Sequence, residues 1–226
     1  MRWTEVADGV LARRHEYLDL TLGLVVGAER CLVVDTGGDE TQGAEFAAAI
    51  RSVTALPWLV VLTHAHFDHY FGTKAFLPCA VWAHERCAEA MRADAETDRR
   101  KWAARFREEH KPELAARLTE AELVAPTATL TEEVRLDLGG RTVTLLHPGR
   151  GHTDHDVAVH VPDAGVVFAG DLVEQGAPPS VGPDAHPAEW PRALDALLAL
   201  RPGTIVPGHG EPVDPAFVRA QRDRIR

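Results

Sequence analysis

One six-residue segment constrains this chain more than any other feature of its sequence. It reads His64-Ala65-His66-Phe67-Asp68-His69 and carries four side chains that can bind a metal ion. It directly follows residues 58–62, an apolar run that is rich in β-forming residues and too short for most helices. Such a run predicts a buried central strand that ends where the histidines begin. Imidazoles combined with a carboxylate favour zinc or iron over calcium or magnesium, which prefer oxygen ligands alone.

Six residues cannot fill two metal sites, so further ligands have to come from elsewhere in the chain. Three candidates follow predicted strands, and each has glycine beside it: His152 in Gly-His-Thr, Asp171 in Ala-Gly-Asp, and His209 in Pro-Gly-His-Gly. Glycine lets the backbone approach a site closely, and a side chain just past a strand lies in a loop-lined cleft. We therefore expect these three side chains to converge on the 64–69 segment.

The apolar pattern along the rest of the chain predicts an α+β fold. Alternating or continuous apolar runs predict strands, helical spacing predicts helices, and no low-complexity linker divides residues 1–226, so a single domain is expected. Two strand-rich halves, each with helices, predict two sheets packed face to face between helical layers. The predicted strands are residues 10–13, 18–26, 31–35, 58–62, 80–83, 133–138, 142–146, 156–161, 166–169 and 204–206, and the predicted helices are residues 41–53, 187–200 and 215–225.

Residues 84–123 differ in character from the segments on either side. They are rich in Glu, Arg, Ala and Lys, with opposite charges at helical spacing such as Glu96 and Arg100. The pattern predicts helices that face solvent in part. Two interpretations stay open: a solvated connector, or a cover over one side of a cleft.

Composition limits the partners that this chain can have. It has 24 basic and 34 acidic side chains, a formal charge of -10, which disfavours nucleic acid and anionic membranes. No apolar run approaches the roughly 18 residues of a membrane span, and the first residues offer no apolar signal region. Three sparse cysteines suit a reducing compartment. We expect a cytoplasmic monomer or simple homo-oligomer that acts on a small molecule, with no nucleic acid or membrane partner.

The ordered set of motifs resembles the metal-ligand pattern of the metallo-β-lactamase-fold hydrolases. The His-x-His-x-Asp-His segment, followed by a histidine, an aspartate and a last histidine, extends this resemblance from the first strands to Gly210. It implies the αββα sandwich of that superfamily. It also implies two metal sites with these ligands: His64, His66 and His152 for the first, Asp68, His69 and His209 for the second, and Asp171 bridging both.

The same resemblance implies a hydrolytic reaction. Two divalent ions roughly 3.5–4 Å apart can share a hydroxide that attacks an ester, thioester, lactone or related bond. Zinc is the expected metal, with iron or manganese as alternatives. Asp68 is the candidate catalytic residue, because it could orient the hydroxide or carry a proton to the leaving group. The aspartate at 171 resembles glyoxalase II-like thioesterases and lactonases more than true β-lactamases, which usually have cysteine or serine there.

Other functions stay open at this stage. A mononuclear iron enzyme similar to the persulfide dioxygenases of this fold would need only part of the ligand set. A small-molecule phosphodiesterase, a weak β-lactamase or a metal-binding module without catalysis would also suit the motifs. Asp35, just after a predicted strand, is expected to support the site rather than to bind metal. Glu174, Gln175 and the Pro178-Pro179 loop after Asp171 are expected to shape the rim of the cleft or simply to connect two elements.

Overall fold

Two mixed β-sheets form the centre of the molecule, in a computed structural model that describes residues 3–225. The seven strands of the first sheet lie in chain order: β1 (Trp3–Ala7), β2 (Val10–Arg14), β3 (Thr21–Val26), β4 (Cys31–Val34), β5 (Trp58–Val61), β6 (Val81–His84) and β7 (Ala128–Leu130). The second sheet contains β8 (Glu133–Asp137), β9 (Thr142–Leu146), β10 (Ala158–Val161), β11 (Val166–Glu174) and β12 (Thr204–His209), in the spatial order β12-β11-β10-β9-β8. β1 to β4 and β8 to β11 pair antiparallel, whereas β4 to β7 and the β11–β12 pair are parallel.

Helices cover the outer face of each sheet, and apolar side chains fill the space between the sheets. The helices are α1 (Glu40–Val53), α2 (Phe67–Tyr70), α3 (Glu85–Glu108), α4 (Pro112–Glu120), α5 (Trp190–Ala199) and α6 (Pro215–Ile225). Val34, Val61 and Phe168 belong to the cluster between the sheets. A second cluster joins the first sheet to α1, α3 and α4, and a third joins the second sheet to α5 and α6. The predicted αββα sandwich is therefore confirmed.

The position of β5 explains why the histidine-rich segment lies deep in the fold. β5 pairs in parallel with β4 on one side and β6 on the other. Val61 packs between the sheets, whereas Val60 and Leu62 pack on the helix side. A strand buried on both faces needs apolar residues at consecutive positions, which is what residues 58–62 provide. The chain leaves this strand at the edge where β4 and β6 also end, and His64 begins the segment there.

The structure differs from the sequence predictions in a few elements. β1 and β7 were not predicted, because β1 is mostly exposed or half-buried and β7 has only three residues. The strand predicted from residue 18 begins at Thr21, since Leu18 and Asp19 have positive φ angles of 58° and 56° in a short turn. β11 and β12 continue beyond 169 and 206, because they pair with each other out to Glu174 and His209. Asp171 and His209 thus lie on strands rather than in the loops that the sequence predicted.

The 84–123 segment forms α3 and α4, as its charge spacing predicted. Within residues 3–225, none of the helices combines the length and the apolar character that crossing a bilayer requires.

Candidate metal centre

Seven side chains that the sequence singled out meet at one end of the two sheets. His64 and His66 lie in the turn after β5, Asp68 and His69 lie on α2, and His152 lies in the loop between β9 and β10. Asp171 lies on β11 and His209 ends β12. Their ligand atoms form two groups, each with all atoms within 4.8 Å of one another: His64, His66, His152 and Asp171 in the first, and Asp68, His69 and His209 in the second.

Asp171 lies between the two groups. Its carboxylate oxygens are 3.8 Å from His64 Nε2 and 3.5 Å from His152 Nε2, both in the first group. They are 3.2 Å from His69 Nε2 and 3.2 Å from His209 Nε2, both in the second group. This is the location that a ligand shared by two ions would need.

Each of the five histidines uses its outer ring nitrogen to bond to the protein. The Nδ1 atoms of His69, His152 and His209 donate to Asp35 Oδ2, the Ser180 carbonyl and the Leu18 carbonyl, at 2.8, 3.1 and 2.7 Å. His64 Nδ1 lies 3.0 Å from the Thr63 hydroxyl, and His66 Nε2 lies 2.8 Å from Asp184 Oδ2. A neutral imidazole that donates through one nitrogen presents a lone pair at the other. In its neutral form, each of the five rings therefore directs a lone pair to the centre.

The inner atoms of the site lack the partners that buried polar atoms normally have. His64 Nε2, His69 Nε2 and Asp171 Oδ1 are buried without a hydrogen bond. His152 Nε2 and His66 Nδ1 are 2.8 Å apart, a distance at which two lone pairs repel unless a proton or a cation lies between them. Nitrogen and carboxylate donors arranged in this way fit transition-metal ions such as zinc.

Burial and neighbouring charges set the protonation of the two groups. Burial lowers the pKa of His64 well below its usual value and lowers that of His152 to about 4, so both stay neutral. Burial acts in the same direction on His69 and His209, but nearby carboxylates, Asp171 first and then Asp68, together outweigh it; the pKa of His69 is raised well above its usual value and that of His209 to about 10. Burial would raise the pKa of Asp171, yet the surrounding histidines, His209 first, hold it well below its usual value. Protons on the second group thus occupy the place of a cation.

Asp35 supports two parts of the site at once. It follows β4 with a φ of +60°, and it accepts hydrogen bonds from the backbone N–H of Thr63 at 2.7 Å and from the Thr63 hydroxyl at 2.8 Å. Its second contact, with His69, fixes the orientation of that ring. Asp35 is buried and belongs to neither ligand group, in agreement with the supporting role expected from the sequence.

Two supporting residues were missed by the sequence analysis, Ser180 and Asp184. Both lie between β11 and α5, in the segment that was expected only to shape the rim or to connect. Glu174 holds Ser180 in place by accepting from its backbone N–H at 2.6 Å and from its hydroxyl at 3.0 Å. No local motif marks either residue, because their contacts depend on the path of the loop. We refer to residues 175–189 as the ligand-holding loop.

The structure explains why glycine, Gly208, stands before the last candidate ligand, His209. A Cβ atom at this position would lie 1.9 Å from Asp171 Oδ1, far closer than any contact a real side chain can make. The parallel pairing of β11 and β12 brings the two residues together. Only glycine leaves room for the carboxylate at the centre of the site.

A cavity of about 710 Å³ opens onto both ligand groups. Its walls come from α3 and from the ligand-holding loop, and Phe67 and Trp102 pack together at 4.6 Å between ring centroids. The α3 side chains on the wall are Asp94, Thr97, Asp98, Lys101 and Trp102. α3 therefore borders the cleft, whereas its movement as a cover stays a prediction.

Comparison with known proteins adds a family to this geometry. A family model described as the metallo-beta-lactamase superfamily matches residues 21–209, which include all seven candidate ligands. Among curated proteins, the acyl-coenzyme A thioesterase MBLAC2 of Bos taurus is 28% identical, over 90% of this chain and 79% of its own. The metallo-beta-lactamase type 2 of Bacillus cereus is also 28% identical, over 90% of this chain and 72% of its own.

Solved structures show the same fold. A metallo-beta-lactamase from Pontibacter korlensis superimposes with a TM-score of 0.77 at 20% identity, covering 99% of this chain and 98% of that one. The FIM-1 metallo-beta-lactamase from Pseudomonas aeruginosa gives a TM-score of 0.71 at 21% identity, covering 99% of this chain and 94% of that one.

Proposed function

Because this chain belongs to the metallo-beta-lactamase superfamily and is a metal-dependent hydrolase, we propose that it holds two zinc ions and cleaves an ester or thioester of a small molecule. His64, His66 and His152 would hold the first ion, and Asp68, His69 and His209 the second. Asp171 would contact both. The observation that carries this proposal is the outward bonding of all five imidazoles, which directs a lone pair from each ring to one centre.

The residues around the centre suit a reaction with water. Bound divalent ions lower the pKa of water and polarise an acyl oxygen, which are the requirements for hydrolysis near neutral pH. Asp68 lines the cavity, and its Oδ2 lies 3.5 Å from His209 Nε2. We assign to Asp68 the transfer of a proton to the departing group. Phe67 and Trp102 form an apolar wall that limits the access of bulk water to the reacting bond.

The thioester part of the proposal is supported by one group of relatives, which are named acyl-coenzyme A thioesterases. Two intact ligand groups favour a two-metal hydrolase over the single-iron oxygenase considered from the sequence. The β-lactamase relatives keep β-lactam cleavage as the second candidate.

A hydrolysis panel on protein with defined metal content tests the proposal. The zinc-loaded chain is assayed with a thioester, a lactone, an aryl ester, a phosphodiester and a β-lactam, and zinc per chain is measured by mass spectrometry. We expect about two zinc ions per chain, as in two-metal hydrolases, and turnover of the ester or thioester. Asp171→Asn should lose both properties, whereas the exposed Asp8→Asn should keep both. One iron per chain with oxygen uptake, or zinc loading without turnover of any compound, would contradict it.

A further inference from the structure

Acidic side chains from two elements line the cavity in front of the candidate metal centre. Asp94 and Asp98 extend from α3, one helical turn apart, and Asp184 extends from the ligand-holding loop. Lys101 is the only basic side chain among the cavity-lining residues that the structure describes. Besides the three histidines of the candidate centre, the lining has four more titratable residues, and all four are acidic: Asp19, Asp68, Asp171 and Glu174.

Several of these carboxylates are already engaged by the protein. Asp68 and Asp171 belong to the ligand groups, and Asp171 Oδ1 is buried and without a hydrogen bond where the cavity reaches the centre. Asp19 accepts from Arg14 Nε at 2.7 Å and from Arg14 Nη2 at 2.8 Å. Glu174 accepts from Ser180. Asp184 in turn accepts from His66 Nε2 at 2.8 Å. Away from the ligand groups, a substrate in the cavity therefore meets chiefly the charges of Asp94, Asp98 and Lys101.

Asp94 and Asp184 both act on Asp98. Burial raises the pKa of Asp98, and Asp94 and Asp184 raise it further, although Lys101 and His66 act in the opposite direction. Neighbouring carboxylates repel one another, and a cation between them relieves that repulsion while an anion increases it. This charge interaction is strong in a half-enclosed cavity, because the low-dielectric walls concentrate the electric field of the carboxylates.

We propose that, within the hydrolase function proposed above, the cavity takes substrates with a positively charged group, such as an alkylammonium, against Asp94 and Asp98, and discriminates against anionic ones. The scissile bond then lies at the ligand groups and the cationic group lies along α3. Coenzyme A carries several phosphate charges, so this chain differs in substrate class from the relatives that are named for acyl-coenzyme A. The overall charge of -10 acts in the same direction at longer range.

A series of thioesters tests the effect of substrate charge while the acyl group and the length of the thiol are kept constant. The probes are the S-acetyl thioesters of thiocholine, 2-mercaptoethanol and 2-mercaptoethanesulfonate, which share the acetyl group and the two-carbon thiol but differ in charge. Water adds to the acetyl carbon, the C–S bond breaks, and acetate and the thiol are released. We expect kcat/KM to fall from the cationic to the neutral to the anionic probe, with a total span of at least about tenfold. The span should narrow as salt is added, because salt screens exposed charges.

Variants that remove charge test whether the dependence of kcat/KM on substrate charge comes from α3. The double variant Asp94→Asn/Asp98→Asn should reduce the ratio between cationic and anionic probes severalfold, with the neutral probe as the reference in the same protein. Glu89→Gln/Glu108→Gln removes the same charge from exposed positions of the same helix outside the cavity, and it should leave the ratio unchanged. Equal rates for the three probes, preference for the anionic probe, or an equal loss in both double variants would overturn the proposal.

Failure of the hydrolase function can be told apart from failure of this inference. If the zinc-loaded protein cleaves no probe, including the neutral one, thioester hydrolysis fails. Charge selection is then decided by binding of the matching uncleavable thioethers, measured by calorimetry on the same zinc-loaded protein. Tighter binding of the cationic thioether, lost in Asp94→Asn/Asp98→Asn, supports the inference. Equal binding of the three thioethers refutes it.

Discussion

Asp184 decides which nitrogen of His66 faces the metal centre. Its carboxylate accepts from Nε2, so the lone pair of His66 lies on Nδ1, unlike the other four histidines, which face inward through Nε2. Burial would lower the pKa of His66, but the bond and charge of Asp184, together with the charges of Asp68 and Asp171, outweigh it and the pKa is raised. The same bond, acting against burial, lowers the pKa of Asp184 to about 2.

We therefore expect Asp184→Ala to weaken zinc binding. Loss of an acceptor behind a metal-binding histidine typically costs about 10- to 100-fold in metal affinity. Asp184→Asn keeps an acceptor oxygen and should lose less. Competition with a chromophoric chelator measures the affinity of each variant. An unchanged affinity in Asp184→Ala would show that the ring of His66 is oriented by packing alone, and Asp8→Asn serves as the matched exposed control.

Zinc binding should release protons from the second ligand group. The pKa of His209 is raised to about 10 and that of His69 is raised well above its usual value, so both are protonated near neutral pH before the ion binds. An ion can bind only after these protons leave, so affinity should increase as the pH rises towards those pKa values. Calorimetry in two buffers with different ionisation enthalpies counts the released protons. An apparent enthalpy that does not depend on the buffer would contradict this expectation.

At the scale of single residues, the sequence could identify the candidate ligands but not the residues that support them. The spacing of His64, His66, Asp68 and His69, together with the glycines beside the remaining three, was sufficient to predict all seven side chains that the structure brings together. Ser180 and Asp184 could not be predicted. Each contacts a ligand through the path of a loop that carries no periodic pattern.

At the scale of secondary-structure elements, the pairing of β11 with β12 positions two of the candidate ligands, Asp171 and His209. The sequence predicted that β11 ends at residue 169, because the continuous apolar run stops at Gly170. In the structure the strand continues through Asp171 with a register shift near Gly170. A polar residue at the middle of a buried strand contradicts ordinary strand patterning, and the surrounding histidines explain why it is tolerated here.

Gly208→Ala should disrupt the centre by displacing the Asp171 carboxylate. The added methyl group would overlap with the Asp171 carboxylate, so the carboxylate would have to move. We therefore expect loss of zinc, together with a loss of stability of about 1–3 kcal/mol, which is typical of overpacking. Gly203→Ala is the matched control, since a Cβ there would meet its nearest neighbour, the Gly165 carbonyl oxygen, at 3.8 Å. Metal content and urea denaturation measure the two effects. Normal zinc content in Gly208→Ala would show that Asp171 can move without consequence.

The whole molecule joins both sheets at the metal centre. His64 follows a strand of the first sheet, whereas Asp171 and His209 belong to the second. An unfolded chain cannot hold these groups together, so an ion binds the folded state in preference. We therefore expect metal binding and folding to be coupled.

Removing the metal should lower the melting temperature of the protein. Binding to the folded state alone stabilises it by about 4 kcal/mol when the free ion exceeds its Kd roughly 1,000-fold. Circular dichroism melts with zinc and with a chelator measure the difference. Asp171→Asn should show little difference between the two conditions. A chelator that leaves the melting temperature of the unmodified protein unchanged would mean that the centre contributes nothing to folding.

The overall architecture was predictable because the order of strands, turns and helices in both halves allows few layered arrangements. The acidic cavity was not. In the sequence, Asp94 and Asp98 are part of a charged helix whose polar residues suit any solvent-facing surface. Only the position of α3 beside the centre gives those two carboxylates a shared direction with Asp184.

The two walls of the cavity differ in how freely they can vary during evolution. The ligand-holding loop borders the substrate and also fixes His66 and His152 through Asp184 and Ser180. A substitution in this loop that suits a new substrate would therefore also be expected to weaken metal binding. In the described part of the chain, the α3 side chains on the opposite wall bond to none of the seven candidate ligands. New specificities in this lineage should therefore arise first by substitution on α3.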